Sequence, residues 1–202
     1  MGKISKKSKK RCYGYLNGVV SKDYTSILNS ENTSDLKFLG SAVPTFFGSV
    51  INTFSYKNFE LSFNIIYKFG YYFRRTSVNY TQLFAGNYMQ ADYSKRWQKP
   101  GDELKTNVPA IVYPADANSD EFYRLSSVLV DKGDNITFQD FKLGYTFQKS
   151  SFQHFPFNSL SIYFYASNLG LIWRANKDHL DPDAISGYPT PKTIEFGLSS
   201  NF

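Results

Sequence analysis

The residues most suited to chemistry lie in one short segment near the carboxyl end, DHLDPD, which holds Asp178, His179, Asp181 and Asp183. Carboxylates at alternate positions are the pattern that calcium-binding loops use, so the segment could ligate a hard cation. The glycine and the distal glutamate that such a loop requires are missing, and Pro182 favours a turn. The sequence therefore predicts a solvated loop here, with no metal.

Other catalytic groups are poorly placed. His154 and His179 are the only two histidines and lie far apart in the sequence, which disfavours a histidine-based metal or acid–base site. Serines are numerous, but the sequence has no G-x-S-x-G motif and no glycine-rich phosphate loop. Cys12 is the only cysteine, so an internal disulfide is impossible. We expect a protein that is not an enzyme and that has no catalytic residues and no cofactor.

An aromatic and basic stretch at 71–97 is the remaining candidate for ligand contact. Tyr88, Tyr93 and Trp97 lie there among several arginines and lysines. Such side chains could stack on sugar rings or contact a partner protein, but they could equally form an interfacial aromatic girdle or pack within a loop. Tyr88, Tyr93 and Trp97 are therefore weak candidates for substrate binding.

The net charge of +6 comes from the first eleven residues. They hold six of the 23 basic residues and no acid, so the rest of the chain balances at 17 against 17. No basic patch or recognition motif follows, so we expect residues 1–13 to be a disordered leader and not a nucleic-acid-binding arm. The leader lacks the apolar stretch and cleavage site of a secretory signal peptide.

The elements that would position these residues are strands. Aromatic residues make up 18% of the 202 positions, which favours an all-β fold. The mean hydropathy of -0.39, with no apolar run near the roughly 20 residues of a spanning helix, excludes a helical membrane protein. Alternation with a period of two predicts strands over about 46–56, 59–72, 135–147, 158–169 and 192–202.

The clearest strand has one apolar and one polar side. Its apolar positions alternate with Glu60, Ser62, Asn64 and Lys68, and they are Phe59, Leu61, Phe63, Ile65, Tyr67 and Phe69. Lys57 and Asn58 leave room only for a tight hairpin turn from the preceding strand. In a soluble sandwich the apolar positions would face a core, whereas in a membrane barrel they would face lipid.

The connections alternate between short and long, with long ones near 74–135 and 173–191. Long structureless loops are uncommon in compact soluble domains, whereas outer-membrane barrels have short turns on one side and long extracellular loops on the other. The last strand also ends on Phe202, on the same apolar parity as Phe196 and Leu198, although chain termini in soluble domains usually fray. Both observations favour a barrel.

Several motifs then resemble one family, in order and spacing: VPTFFGSVINTFSYKNFELSFNIIYKFGYYFRR, RWQKPGDELKTNVP, FKLGYTF, LSIYFYASNLGLIW and DPDAISGYPTPKTIEFGLSSNF. Residues 14–202 resemble the C-terminal end of SusC/RagA-type TonB-linked outer membrane proteins, or TonB-dependent receptors. The resemblance implies part of a barrel of about 22 strands with a plugged lumen. It also implies import of nutrients, either oligosaccharides or peptides, across the outer membrane.

The same resemblance implies partners. These are the remaining barrel strands and plug, a SusD-like lipoprotein outside, the TonB complex that supplies energy, and the barrel assembly machinery. Phe196, Leu198 and Phe202 would form the signal that this machinery reads. Phe59, Leu61, Phe63, Ile65, Tyr67 and Phe69 would face lipid.

Nothing in the sequence resembles the plug, the TonB-contacting segment or the earlier strands. We therefore expect a fragment that cannot transport alone, because an open sheet in lipid leaves backbone groups unpaired. The fragment would come from a truncated or frame-disrupted gene, or from a gene read from an internal start. The alternative from a different class is a soluble all-β module that binds a carbohydrate or a protein.

Overall fold

The computed structural model describes residues 13–30, 33–149, 156–185 and 187–202. The predicted leader up to residue 12, with Cys12, lies outside the described residues, as does His154.

The described chain contains nine strands, three short α-helices and several 3-10 turns. The strands are β1 (Gly14–Leu16), β2 (Val19–Ser21), β3 (Phe46–Tyr56), β4 (Phe59–Phe69), β5 (Tyr72–Arg74), β6 (Val130–Lys132), β7 (Asn135–Gln148), β8 (Ser159–Arg174) and β9 (Thr193–Asn201). The helices are α1 (Tyr24–Leu28), α2 (Tyr80–Phe84) and α3 (Ala117–Leu125). The 3-10 turns are Thr33–Asp35, Ala91–Lys95, Asp102–Leu104 and Ser127–Leu129.

These elements fall into two compact units. The first consists of the described part of 13–40 together with Tyr72–Asp131, and the second of Ser41–Tyr71 with Lys132–Phe202. The sequence predicted a single barrel segment over 14–202. That the first unit belongs to such a segment, as loops beyond the strands, stays a prediction.

The second unit is built on one antiparallel sheet in the order β3-β4-β7-β8-β9. Lys57 and Asn58 join β3 to β4, and a positive φ of 52° at Lys57 lets the chain reverse in two residues. Every sequence-predicted strand is present in this sheet, and the fold is all-β and antiparallel as expected. Among the described residues, no strand pairs with the outer edge of β3 or of β9.

The pairing register collects the apolar positions on one face. Phe63 lies opposite Asn52 and Phe141, and Phe164 lies opposite Leu143 and Phe196. This apolar face is defined here as Phe46, Val50, Phe54, Tyr56, Phe59, Leu61, Phe63, Ile65, Tyr67, Phe69, Ile136, Phe138, Phe141, Leu143, Tyr145, Phe147, Leu160, Ile162, Phe164, Ala166, Trp173, Ile194, Phe196 and Leu198. Many of its side chains are uncovered; Phe54 is 55% exposed and Phe196 is 79% exposed.

Two strand ends differ from the predicted ones by more than one residue. β4 stops at Phe69 and not at 72, because Gly70 has a φ of +75° that breaks the strand, and Asp134 Oδ1 accepts the Gly70 N–H at 2.7 Å. β8 continues beyond 169 to Arg174. Register shifts in its pairing with β7, after Ile136 and after Phe138, absorb the extra residues and let pairing resume.

The first unit has a core of its own. Its buried side chains are Tyr24, Val78, Tyr80, Val108, Phe122, Tyr123 and Leu129. The stretch predicted as a long loop, about 74–135, therefore contains packed structure, including α2 and α3. Asp116 caps α3 by accepting the N–H groups of Asn118 and Ser119, and Asn79 caps α2 by accepting that of Gln82.

Candidate functional site

The face of the five-stranded sheet opposite the apolar face carries most of the polar chemistry of the second unit. Hydroxyl and amide side chains bond directly across strands. Thr53 Oγ1 donates to Ser62 at 3.2 Å, and Thr146 and Ser161 lie 2.9 Å apart through their hydroxyl oxygens. This polar face is not uniform, because Phe47, Ile51 and Ile66 also lie on it. It forms a surface of hydrogen-bonding groups with isolated apolar patches.

Charged groups on the polar face occur as neighbours of opposite sign. Lys142 Nζ lies 3.9 Å from a Glu60 carboxylate oxygen and 5.5 Å from the centre of the Tyr163 ring. Asn64 Nδ2 donates to Asp140 Oδ2 at 3.0 Å. Both members of the Lys142–Glu60 pair are about half exposed, so their attraction contributes little to stability. Lys142 and Glu60 thus remain about half exposed to solvent on this face.

A groove of about 380 Å³ lies at one end of the polar face. Its floor comes from β7 and β8 through Thr137, Gln139 and Asn168, and its wall comes from the connection between β8 and β9. Tyr188 stands at the groove with its side chain almost fully exposed, beside Pro189 and other connection residues. An exposed ring next to hydroxyl and amide groups can hold a ligand that has both an apolar face and polar edges.

The connection between β8 and β9 is held over the sheet by side-chain contacts. Lys68 Nζ donates to both carboxylate oxygens of Asp183 at 2.9 Å. Asn168 Nδ2 donates to the Pro191 carbonyl at 3.1 Å and accepts from Gln139 at 3.2 Å. A local loop closes where Asn176 exchanges hydrogen bonds with the main chain of Leu180. The wall of the groove is thus tied to β4 and β8 by polar contacts.

Tyr71 is a buried residue two positions after the end of β4. Burial raises the pKa of its phenol to about 12, and Asp183, Asp134 and Asp181 contribute in the same direction. Asn135, which is fully buried, donates to the Tyr71 oxygen at 2.9 Å. The phenol is neutral at physiological pH with or without this shift in its pKa, and its observed contact is the hydrogen bond from Asn135.

The acidic segment considered for cation binding is engaged with protein groups. Asp183 pairs with Lys68, and Asp181 Oδ1 accepts the Asp183 N–H at 2.9 Å. Within the part of the chain that the structure describes, no group of three or more His, Cys, Asp or Glu side chains is placed to hold a metal ion. Asp183 instead serves to anchor the connection.

The three aromatic candidates Tyr88, Tyr93 and Trp97 lie in the first unit. Tyr88 is 51% exposed, whereas the Tyr93 ring is covered by the Arg96 guanidinium at 4.1 Å from its centre. Trp97 Nε1 donates to Glu103 at 3.0 Å and so closes the loop around Gly101. Tyr93 and Trp97 therefore make contacts within the first unit, and a substrate contact by Tyr88, Tyr93 or Trp97 stays a prediction.

The candidate lipid-facing and assembly residues are all in the second unit. Phe59, Leu61, Phe63, Ile65, Tyr67 and Phe69 lie on the apolar face of β4, as their alternation predicts. Phe196 and Leu198 lie on the same face of β9, and the Phe202 ring packs 5.0 Å from that of Phe157. That the apolar face meets lipid, and that the last strand is an assembly signal, stay predictions.

Sequence reasoning missed the anchors of the groove. Lys68 was placed correctly on the polar side of its strand, but its partner Asp183 lies 115 residues away. Gln139 and Asn168 come together at the bulges between β7 and β8. Asn168 and Gly170 have positive φ there, 56° and 113°, and a glycine inside a strand is a local signal by which sequence reasoning could have found the irregularity.

No helix in the described ranges is both long and apolar enough to cross a membrane.

Comparisons with known proteins define the fold class, an antiparallel all-β segment of the kind found in importer chains. No family model matches the sequence, and no curated protein matches it. Similar solved structures include three of RagAB. They are the RagAB peptide importer in its open-open state, with a TM-score of 0.65, the RagAB peptide transporter, with 0.69, and the importer in its closed-closed state, with 0.65.

Each similarity covers 100% of this chain at 19% sequence identity. The chain spans only 21 to 22% of the length of the RagAB chains it matches. At this identity the similarity shows the fold.

Proposed function

We propose that the five-stranded sheet is part of the wall of a TonB-dependent outer-membrane importer, with its apolar face toward lipid and its polar face toward the lumen. The observation that carries this is the extent of the apolar face. Phe46, Phe54, Phe59, Ile194 and Phe196 are each more than half exposed on one continuous side. Contiguous apolar surface of this kind marks a protein or membrane contact.

The direction of the strands indicates that the sheet needs further strands. All four pairings are antiparallel, so β3 and β9, at the two edges of a five-stranded sheet, run in the same direction. Pairing them directly would give a parallel contact. An antiparallel barrel that includes this sheet therefore requires an odd number of additional strands between β9 and β3.

The energetics of lipid support the same conclusion. Each unpaired backbone group in hydrocarbon costs several kcal/mol, so two open edges are strongly disfavoured there and added strands would stabilise the sheet. The five strands alone would not transport, and the transport-competent importer would contain the rest of the barrel and a plug.

The substrate would pass along the polar face and its groove as an oligosaccharide or a peptide. The similar structures are those of a peptide importer, which supports the peptide class, while the exposed Tyr188 ring suits either class. A SusD-like lipoprotein, the TonB complex and the barrel assembly machinery would be the partners. These follow from the sequence resemblance, with Phe196, Leu198 and Phe202 as the assembly signal and the outer membrane as the location.

A quenching experiment tests which face meets lipid. Trp97 and Trp173 are the only two tryptophans, and W97F/W173F gives a background without tryptophan fluorescence. Into this background a single tryptophan is introduced at one of two neighbouring positions of β8. The tryptophan of F164W lies on the apolar face, and that of Y165W lies on the polar face. Brominated detergent or lipid quenches tryptophans that touch it.

Quenching of F164W but not of Y165W is the expected result. Equal quenching of the two, or a full chain that stays monodisperse and unfolds cooperatively without detergent, would overturn the proposal. The second outcome would favour a soluble all-β module that binds a carbohydrate or a protein.

A further inference from the structure

The hairpin of β1 and β2 in the first unit turns on Asn17 and Gly18. Both residues are exposed, and both have positive φ, 53° and 78° respectively. Asn-Gly is the preferred pair for a two-residue hairpin turn because both positions require this backbone region. The sequence contains no other Asn-Gly pair.

An Asn-Gly pair is prone to deamidation of the asparagine. The Gly18 nitrogen can attack the side-chain carbonyl carbon of Asn17, since glycine has no side chain to obstruct the approach. A bond forms between Gly18 N and Asn17 Cγ, and the bond between Asn17 Cγ and Nδ2 breaks. The Nδ2 amino group takes up the proton that Gly18 loses and leaves as ammonia. Water then opens the five-membered imide to give aspartate or isoaspartate at position 17.

The structure places one carboxylate across this turn. Asp35 Oδ2 accepts the Asn17 N–H at 2.7 Å, and Asp35 Oδ1 accepts the Gly18 N–H at 3.0 Å. Hydrogen bonds to a charged acceptor are stronger than those between neutral groups. They fix the turn at two consecutive amides, and they hold the proton that Gly18 must lose before its nitrogen can attack.

We propose that Asn17–Gly18 is a site of spontaneous deamidation whose rate is restrained by the Asp35 carboxylate. Deamidation, once it occurs, weakens the Asp35 hydrogen bonds that restrain it. A new carboxylate at position 17 lies next to Asp35 and repels it. An isoaspartate also lengthens the main chain in a turn that pairs Leu16 with Val19, so the hairpin register is lost.

The experiment compares the full wild-type chain with D35A, each folded in detergent and each unfolded in urea, in mildly alkaline buffer. Arg11 and Lys22 flank the turn, so trypsin releases residues 12–22 as one peptide whose mass reports deamidation. We expect D35A to deamidate roughly tenfold faster than wild type when folded. In urea the two rates should be equal, and G18A should slow the reaction in both states.

A folded D35A chain that deamidates no faster than wild type would overturn the proposal; a slower rate would mean that Asp35 acts as a base. If D35A does not fold, hydrogen exchange of the same peptide in the wild-type chain gives an independent answer. Slow exchange at Asn17 and Gly18 supports the restraint, whereas exchange at the rate of an unfolded peptide contradicts it.

Discussion

The ring of Tyr163 on β8 lies directly across Gly197 on β9, so a Cβ added at Gly197 would clash with the ring. A second pair repeats this arrangement at the other edge of the sheet, where Tyr67 of β4 covers Gly48 of β3. Neither glycine has a positive φ, so glycine is needed for the close approach and not for its backbone freedom. Aromatic cover of glycines on edge strands fixes the register of those strands.

Replacing Gly197 by alanine should therefore destabilise the sheet. The added methyl group would displace the Tyr163 ring, and overpacking of this kind costs about 1–3 kcal/mol. The free energy of unfolding, from urea titration in detergent, measures the effect. Gly144 is the matched control, because it lies on the same face and a Cβ there would meet no atom closer than 3.9 Å. Equal effects of G197A and G144A would contradict a steric role for Tyr163.

A lysine should be tolerated on one face of β4 and not on the other. At Phe63, on the apolar face, we expect F63K to lower the free energy of unfolding in lipid by about 2–4 kcal/mol. At the neighbouring Asn64, N64K places the charge beside Asp140, which already lies within hydrogen-bond distance of that residue. The recovery of folded chain in lipid vesicles distinguishes the two variants. Similar recoveries would argue against an apolar face in contact with lipid.

Neutralising the Lys68–Asp183 pair should loosen the groove wall without unfolding the sheet. The pair is about one-third and one-half exposed, so its contribution to global stability is below about 1 kcal/mol. In K68M we expect faster hydrogen exchange over 175–192, with the strands little changed. High salt should produce the same change in the wild-type chain. K192M removes another positive charge from the groove and serves as the control; an equal response in K192M would show a nonspecific charge effect.

Asp92 should make the first unit sensitive to acid. Burial alone would raise the pKa of this carboxyl, but the Ser77 hydrogen bond and the Arg75 guanidinium together bring it below the ordinary value of 3.8. A group with a lowered pKa stabilises the fold fully above its unfolded pKa, and the contribution is lost as the pH falls through the folded pKa. The stability difference between wild type and D92N should thus be constant above about pH 5 and shrink below 3.8.

We expect D92N to lower the free energy of unfolding by about 1.5–3 kcal/mol at neutral pH, because it removes a charged hydrogen-bond acceptor from the largely buried Arg75 and leaves Asp131, 3.4 Å from Arg75 Nε, facing the guanidinium. E121Q, which removes the exposed ion pair with Arg124, is the surface control and should change the free energy of unfolding little. A pH-independent difference between wild type and D92N would show that charge is not the cause.

Much of the second unit could be predicted from local pattern. Alternation with a period of two depends on the environment of each side of a strand, so Phe59, Leu61 and Phe63 reveal a shared face without any knowledge of their partners. The turn at Lys57 and Asn58 then fixes the register of β3 on β4. The helices of the first unit were missed, although Asp116 followed by Asp120 and Glu121 is a recognisable helix start.

The sequence by itself determined the strands, their two faces and the all-β class, because those properties repeat every two residues along the chain. Only the tertiary structure decided that Asp183 anchors on Lys68, that Tyr163 lies over Gly197 and that Asp35 binds the Asn17–Gly18 turn. Each of these contacts joins residues on different elements. Their formation depends on register shifts and loop paths that no local pattern specifies.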